Sequence, residues 1–403
     1  MLRRHLSGLS DLGSSKNVVS IILVGNAFSW YYAVLSALEL TNPSILVWVV
    51  HFSALILSAL VGASLGRQLE RSKFLILWMV VGVVSSTLLF TLSSTSVILA
   101  SLVSLFLGLS LGFGMPACMS YFSDSVAVES RGRVSGVTML ASGIGIVAFG
   151  FALKSDLLLI GIILGIWRFS SLLVFLWAKD YRRNKRKESE LSYKQVFGQH
   201  SFILYFVPWI MFSFVNYLAV SMTPSGLEYQ DLGIVQAVFM GASAVLGGIF
   251  ADSVGRKRIA IAGFAMLGLG AAVLGFSGNK LSEIPYPILY FNSTIDGIAW
   301  GLLLVIFVLT LWGDLSNNSS SDKYYALGVM PFFASKLFEL IVGPNIPPGL
   351  ASSSPLFSLT AFFLFLAILP LVYAPETLPE RVMKKRELTL YVEKAQEIAQ
   401  EYA

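Results

Sequence analysis

Four ionisable side chains stand inside long apolar stretches of this chain: Arg168, Asp296, Lys336 and Glu339. At the centre of a membrane helix a charged group costs about 2.5–3.5 kcal/mol on insertion scales, so it needs a partner, water or a function. At a rise of about 1.5 Å per residue, Asp296 lies roughly 13 Å in from one end of its stretch. By the same measure Lys336 lies roughly 18 Å from the opposite end of the next stretch. In a hydrocarbon core ~30 Å thick the two depths nearly coincide, so the spacing predicts an Asp296–Lys336 pair. Protonating the acid would release the lysine, which is the chemistry of a proton-coupled switch. Glu339, three residues from Lys336, shares its helical face and extends the pair outward. A static bridge pinning two helices fits the same pattern. Arg168, in GIWRFSSLL, fits a cation that snorkels along apolar surface or bonds helix carbonyls.

Neutral groups of the binding type accompany these charges. Asn26, Trp30 and Ala33 are spaced to share a face with Tyr31 and Tyr32 alongside, and Asn292, Asp296 and Trp300 recur every four residues as a polar-aromatic stripe. Asn216 and Gln236 add amides, and His51 carries the side chain that titrates near neutrality. The candidate substrate-binding set is Asn26, Trp30, His51, Asn216, Gln236, Asn292, Trp300 and Lys336, with Asp296 and Glu339 as proton-coupling groups. Packing alone also fits each neutral residue, and Trp48 fits an aromatic belt at a membrane edge. Catalysis has little to work with: His5, His51, His200, the single Cys118, no metal-spaced Cys/His cluster and no nucleotide-binding loop. No enzyme activity, cofactor or metal is expected.

The elements that hold these residues are membrane helices. Of the 403 residues 56% are apolar and 13% charged, and mean hydropathy is +0.75, more oil than a water-soluble domain needs. Twelve runs approach the roughly 20 residues that span a bilayer. Six lie near Val18–Leu40, Ser44–Leu65, Phe74–Ser94, Ser96–Met119, Arg133–Leu153 and Leu157–Ala178. Six more lie near Ser201–Val220, Asp231–Ala251, Ile259–Ser277, Pro287–Leu311, Tyr324–Val342 and Phe357–Ala374. Their length and uniform polarity exclude a barrel, whose strands alternate over about ten residues. No small-residue cleavage site precedes the first run, so it is expected to be a span and not a removed signal peptide.

Of the Lys and Arg, Lys154 and Lys280 fall in loops assigned outside, Arg168 and Lys336 fall in spans, and the rest fall on one side. By the positive-inside rule both termini are expected in the cytoplasm of a multi-pass plasma-membrane protein. The net charge of +5 is then a topological signal, and no nucleic-acid partner is implied.

Lys179 to Lys194 is the one long polar interruption, dense in cations. It divides the chain into an N-terminal bundle of six helices (1–178), a basic linker (179–200), a C-terminal bundle (201–374) and a tail (375–403). In the tail Leu388, Tyr391, Ala395 and Ile398 are spaced as a short amphipathic helix. The halves echo each other at an offset near 190 residues. YFSDSVAVESRGRVSGV around Asp124 and Gly136 corresponds to LWGDLSNNSSSDKYYALGV around Asp314 and Gly328, Asn26 to Asn216, and His51 to Gln236. Gly62 with Arg67 and Arg71 stands where Gly248, Arg256 and Lys257 stand. Parallel repeats of this kind enclose a central cavity.

Between the second and third spans of the second half runs GIFADSVGRKR, from Gly248 to Arg258. It resembles the loop motif of the major facilitator superfamily, the twelve-helix solute carriers, and it sits where that family carries it. The resemblance implies an all-α integral membrane fold of twelve helices in two six-helix bundles. It also implies a latch between the halves on the cytoplasmic side, with Gly248, Asp252, Gly255, Arg256, Lys257 and Arg258 as gating residues. Physically, Asp252 can cap the positive end of a neighbouring helix, and Gly248 allows close backbone approach. The first-half loop, GASLGRQLERSK, departs from the pattern, with Gly66 at the acid's place, so the latch is expected to depend mainly on Asp252, Arg256 and Lys257. A basic loop kept for topology alone is the other reading.

Other departures bear on substrate. Drug–proton antiporters of the family carry an arginine in span four where this chain has Ser104, and Ser104, Gly108 and Gly112 repeat as in tight helix packing. PET at Pro375–Thr377 is similar to the ending of sugar porters, but the glutamine-rich signature of their span seven is absent. The resemblance therefore implies a secondary carrier of a small organic solute, working by alternating access and coupled to protons or another ion, complete as a monomer in the lipid bilayer. An exporter of lipophilic compounds and a non-transporting sensor are the alternatives.

Overall fold

A computed structural model of the chain describes residues 13–66, 70–93, 96–152, 156–178, 191–220, 230–276, 284–316, 319–345 and 354–378, with the side chains of 151–152, 216–220, 230, 344 and 354 excepted. Residues 179–190 of the linker, the tail beyond 378, Arg67, Lys154, Lys280 and the side chain of Asn216 lie outside the described set.

The first six spans are α1 (Ser15–Leu40), α2 (Ile45–Leu65), α3 (Arg71–Thr87, extended by a 3-10 turn Leu88–Ser93), α4 (Val97–Ser125), α5 (Arg131–Ala152) and α6 (Leu157–Trp177). The second six are α7 (His200–Val220), α8 (Gln230–Ser253), α9 (Arg256–Phe276), α10 (Tyr286–Leu315), α11 (Asp322–Val342) and α12 (Ser354–Leu366, continued by Ile368–Tyr373). Eleven are long and apolar enough to cross a membrane, and the apolar portion of α7 is His200–Val215. The chain is a multi-pass membrane protein. Polar residues start the helices: Ser14, Ser96 and Asp156 accept the orphan N–H groups of Asn17, Leu99 and Leu159. Outward-facing Leu57, Ile98, Ile166 and Phe276 are exposed, as lipid contact requires.

Two helices outrun their apolar stretches. α4 continues to Ser125 and α10 to Leu315, so Asp124 and Asp314 stand on helix ends instead of in loops. A π turn, Val305–Thr310, interrupts α10 and brings Thr310 Oγ1 within 3.1 Å of Ser135 Oγ on α5.

Packing repeats between the halves. α2 lies against α4, α1 against α5 and α3 against α6; correspondingly α8 lies against α10, α7 against α11 and α9 against α12. A Cβ at Gly108 or Gly112 would strike the carbonyls of His51 or Leu55 on α2, and one at Gly297 or Gly301 those of Gln236 or Met240 on α8. Small residues thus set the same backbone contact twice. Ser104 donates to Val47 O at 3.1 Å and belongs to this seam. The halves meet along α5/α8 and α2/α11.

The α5/α8 seam is uneven along its length. Near the face that carries the linker, a Cβ at Gly132, Gly136 or Gly248 would collide with the opposite backbone. Farther along, Gly143, Gly150 and Gly233 have nothing within 4 Å. Along this seam the halves are closed at the linker face and leave open space toward the far face.

Candidate functional site

The closed face is built from charges on helix ends. Asp252, in the last turn of α8, accepts from the backbone N–H of Gly132 at 2.8 Å and of Arg133 at 2.9 Å, in the first turn of α5. It caps the positive end of a helix in the other half. Arg256, the first residue of α9 and fully buried, donates to Val128 O at 2.6 Å and places Nε 2.8 Å from Asp314. Asp314 also receives Arg131, so the acid of α10 joins cations from both halves. Gly255 takes φ +117°, which favours glycine. That turn lets Glu376 accept from Arg256 N at 2.9 Å and Lys257 N at 3.2 Å, capping α9.

The first half repeats the arrangement with altered signs. Arg71, opening α3, is 2.5 Å from Asp124 at the end of α4 and 3.2 Å from Asp322 at the start of α11. Where α5 begins with a cation, Arg131, that reaches an acid across the seam, α11 begins with an acid, Asp322, that reaches a cation. Ser321 stands 2.7 Å from Ser120 and 3.0 Å from Ser123 between them. Beside this seam a one-turn helix, Tyr193–Phe197, ties the linker to both halves. Tyr193 donates to Leu60 O at 2.6 Å, while Lys323 donates to Leu191 O at 2.9 Å and lies over the Tyr193 ring.

One expectation needs correction here. Lys257 does not reach across the halves: its ammonium donates to Val372 O at 2.8 Å and Ala374 O at 2.9 Å, at the end of α12 in its own half, where a cation meets the negative helix end. Arg258 is exposed. Besides Asp252 and Arg256, the residues Arg71, Arg131, Asp314 and Asp322 cross the seam, and they were missed as a network. The echo of Asp124 in Asp314, and that of Arg71 in the second loop's cations, were the hints of them.

Inside the membrane the ionisable groups are partnered differently from the sequence expectation. Asp296 accepts a short hydrogen bond from Gln236 Nε2 on α8, and Lys336 is paired with Glu339, one turn along α11, at 3.0 Å. The Asp296–Lys336 pair is not formed. Similar depth on two helices does not fix which way each helix is rotated. Glu39, near the far end of α1, lies within electrostatic reach of Lys336 and Glu339 across the halves, an influence absent from the sequence reading.

Arg168 neither snorkels nor bonds a helix carbonyl. It is fully buried, with its guanidinium 3.9 Å from the centroid of Trp78 and 3.4 Å from Asn26 Oδ1. Asn26 in turn donates to Trp167 O at 2.6 Å, and Trp30 donates to Ser86 at 2.8 Å. Both therefore stabilise the interior of the first bundle. His51 is buried against Trp48, Phe52 and Tyr31, with Nδ1 3.1 Å from Ser104 O on α4. Trp48 packs inside and is not a belt residue. The His51–α4 and Gln236–α10 bonds join equivalent helix pairs, as the echo of the two residues predicts. Partly exposed Trp300 packs edge-on to Phe212 at 4.9 Å, and Asn292 leans toward Gly270 of α9.

Neither a protein-family model nor a curated protein matches the sequence. The backbone does match solved structures. The human organic anion transporter MFSD10 (TETRAN) aligns with a TM-score of 0.65 at 13% identity, over 89% of this chain and 99% of that one. The major facilitator superfamily proton:xylose symporter XylE, bound to 6-bromo-6-deoxy-D-glucose, aligns with a TM-score of 0.67 at 15% identity, over 90% and 96%.

The fold is that of the major facilitator superfamily.

In this facilitator fold the two loop-motif positions follow α2 and α8. The second carries Gly248, Asp252, Gly255 and Arg256, and three of those side chains or backbones meet the opposite half or the turn that reaches it. The far ends of the same helices form the open side.

Proposed function

We propose that this chain is a secondary carrier that moves a small organic solute by alternating access, coupled to protons at Asp296 and Glu339. The observation that carries the reading is the uneven seam: tight glycine contacts and inter-half ion pairs at the linker face, and open space beside Gly143, Gly150 and Gly233 toward the far face. Such a state is one half-cycle of a rocking carrier. The linker face and both termini are assigned to the cytoplasm, in the plasma membrane, from the distribution of Lys and Arg. The carrier works as a monomer.

Support for proton coupling comes from how the buried acids are partnered. Asp252, Asp314 and Asp322 each have an arginine, whereas Asp296 has the neutral Gln236. An intramembrane carboxyl with only an amide beside it is a proton site by the cost of the alternative. The substrate-binding assignments for Gln236, Asn292, Trp300 and Lys336 remain part of this proposal, with Asn216. Those for Asn26, Trp30 and His51 are narrowed to roles behind the cavity wall, because all three are buried. The aromatic group of Trp209, Phe212, Phe307 and Trp300 favours lipophilic compounds as the second reading.

The test is transport. Purified protein in liposomes should accumulate or exchange one member of a panel of sugars, carboxylates, amino acids and amines in response to a pH gradient, and Asp296→Asn should abolish the response. A protein that binds a ligand yet never moves it would be a sensor.

A further inference from the structure

The chain treats its acids unequally, and the exception points to a ligand. At the linker face every acid that crosses the seam is answered by arginine. Asp296 lies about 15 Å along α10 from Tyr286, in the half of the helix toward the far face, and is partly exposed there. Among the described residues no cation pairs with it. Gln236 Nε2 occupies one carboxylate oxygen, Oδ2, which fixes the carboxyl's orientation and leaves Oδ1 available to a donor from the cavity. One turn deeper on the same helix stands Trp300, also partly exposed and held edge-on by Phe212. An oriented carboxylate with an indole one turn away is suited to a cation, which gains from both the charge and the ring face. The approach has the same sign. At the far ends of α1, α8 and α11 stand Glu39, Asp231 and Glu339, and Lys336 is the one described cation near them, already held by Glu339. A mouth with excess acid concentrates cations and repels anions.

We propose that the solute bears an ammonium group, that it binds at Asp296 with Trp300 as the aromatic wall, and that it exchanges there with a proton. This rests on the reading of the chain as a proton-coupled carrier and names the substrate class for it. The exchange balances: the protonated carboxyl loses its proton to the cavity as the ammonium forms an ion pair with the carboxylate, so one proton leaves for each cation bound. Gln236 is the positioning residue. Because one carboxylate serves both occupants in turn, cation and proton move in opposite directions.

The test uses the purified full-length protein and two probes of similar shape and opposite charge, phenethylammonium and phenylacetate. Phenethylammonium should raise the melting temperature and release about one proton per bound probe in weakly buffered solution. Its apparent affinity should fall by up to about tenfold per pH unit once Asp296 is protonated. Asp296→Asn should lose binding and proton release while keeping its melting temperature without probe, and Asp296→Glu should restore both. Gln236→Leu should weaken phenethylammonium without creating phenylacetate binding. Stabilisation by phenylacetate and not by phenethylammonium would overturn the proposal. So would phenethylammonium binding that survives Asp296→Asn or ignores pH, or no binding of either probe. If a sugar or carboxylate is instead carried with proton coupling that Asp296→Asn removes, this inference fails and the carrier reading stands. If no solute moves and Asp296→Asn changes nothing, both fail.

Discussion

Arg131, the first residue of α5, is ion-paired with Asp314, near the end of α10, and the two side chains are 6% and 0% exposed. This buried pair joins the halves where they are closed, and Arg256 approaches the same carboxylate from the second half. Opening the linker face must separate Arg131 from Asp314, so the pair favours the closed arrangement of that face.

Removing Arg131 should release that face. Breaking a buried pair by deleting one partner costs about 3–5 kcal/mol. Arg131→Met is expected to lower the melting temperature and to raise thiol labelling of Ser123→Cys, which is buried against Ser321 across the seam, both in a Cys118→Ser background. Unchanged labelling would separate the pair from gating.

Asp252→Asn tests the cap in the same way. The amide keeps the shape but loses the charge that faces the start of α5, at a cost of about 1 kcal/mol. The closed state should lose about fivefold in population, seen as greater thiol accessibility at the linker face and less at the far face. Equal accessibility on both faces before and after would contradict the role given to Asp252.

Gly136→Leu should prevent closure without touching a charge, because its side chain would enter the backbone of α8 at Ala244. The protein is expected to remain folded and to label readily at the linker face. Gly143→Leu, placed where the seam is open, should leave the labelling pattern as it was.

The linker strap predicts a coupling. Tyr193 and Lys323 come from opposite sides of the seam and meet as ring and cation. A double-mutant cycle with Tyr193→Leu and Lys323→Met is expected to give about 0.5–1 kcal/mol in melting experiments. Strict additivity would reduce the strap to two unrelated contacts.

How much of this could be read in the sequence depended on the distance over which each interaction acts. Twelve spans were legible because a bilayer demands some 20 apolar residues in a row. Asp252 was legible as a helix cap because the loop motif keeps its acid beside a glycine that allows close approach. Arg131 and Asp314, 183 positions apart, carry no local sign of each other, and neither do Arg71 and Asp322. Asp296 and Lys336 were wrongly paired because depth along a helix is readable from sequence and rotation about its axis is not. Arg168 was misread for a related reason: the residue that receives it, Trp78, comes from a different helix, and snorkelling is only the default for a cation with no such partner.

The central claim is that the halves rock, closing one face as they open the other. Distances between spin labels test it most directly, in a Cys118→Ser background, with one pair at Ala127 and Val254 on the linker face and another at Leu40 and Ile341 on the far face. On going from wild-type contacts to Asp252→Asn, the linker-face distance should lengthen while the far-face distance shortens. If both distances lengthen together, or the far-face distance is unmoved when the linker face opens, the chain does not rock and the account is wrong.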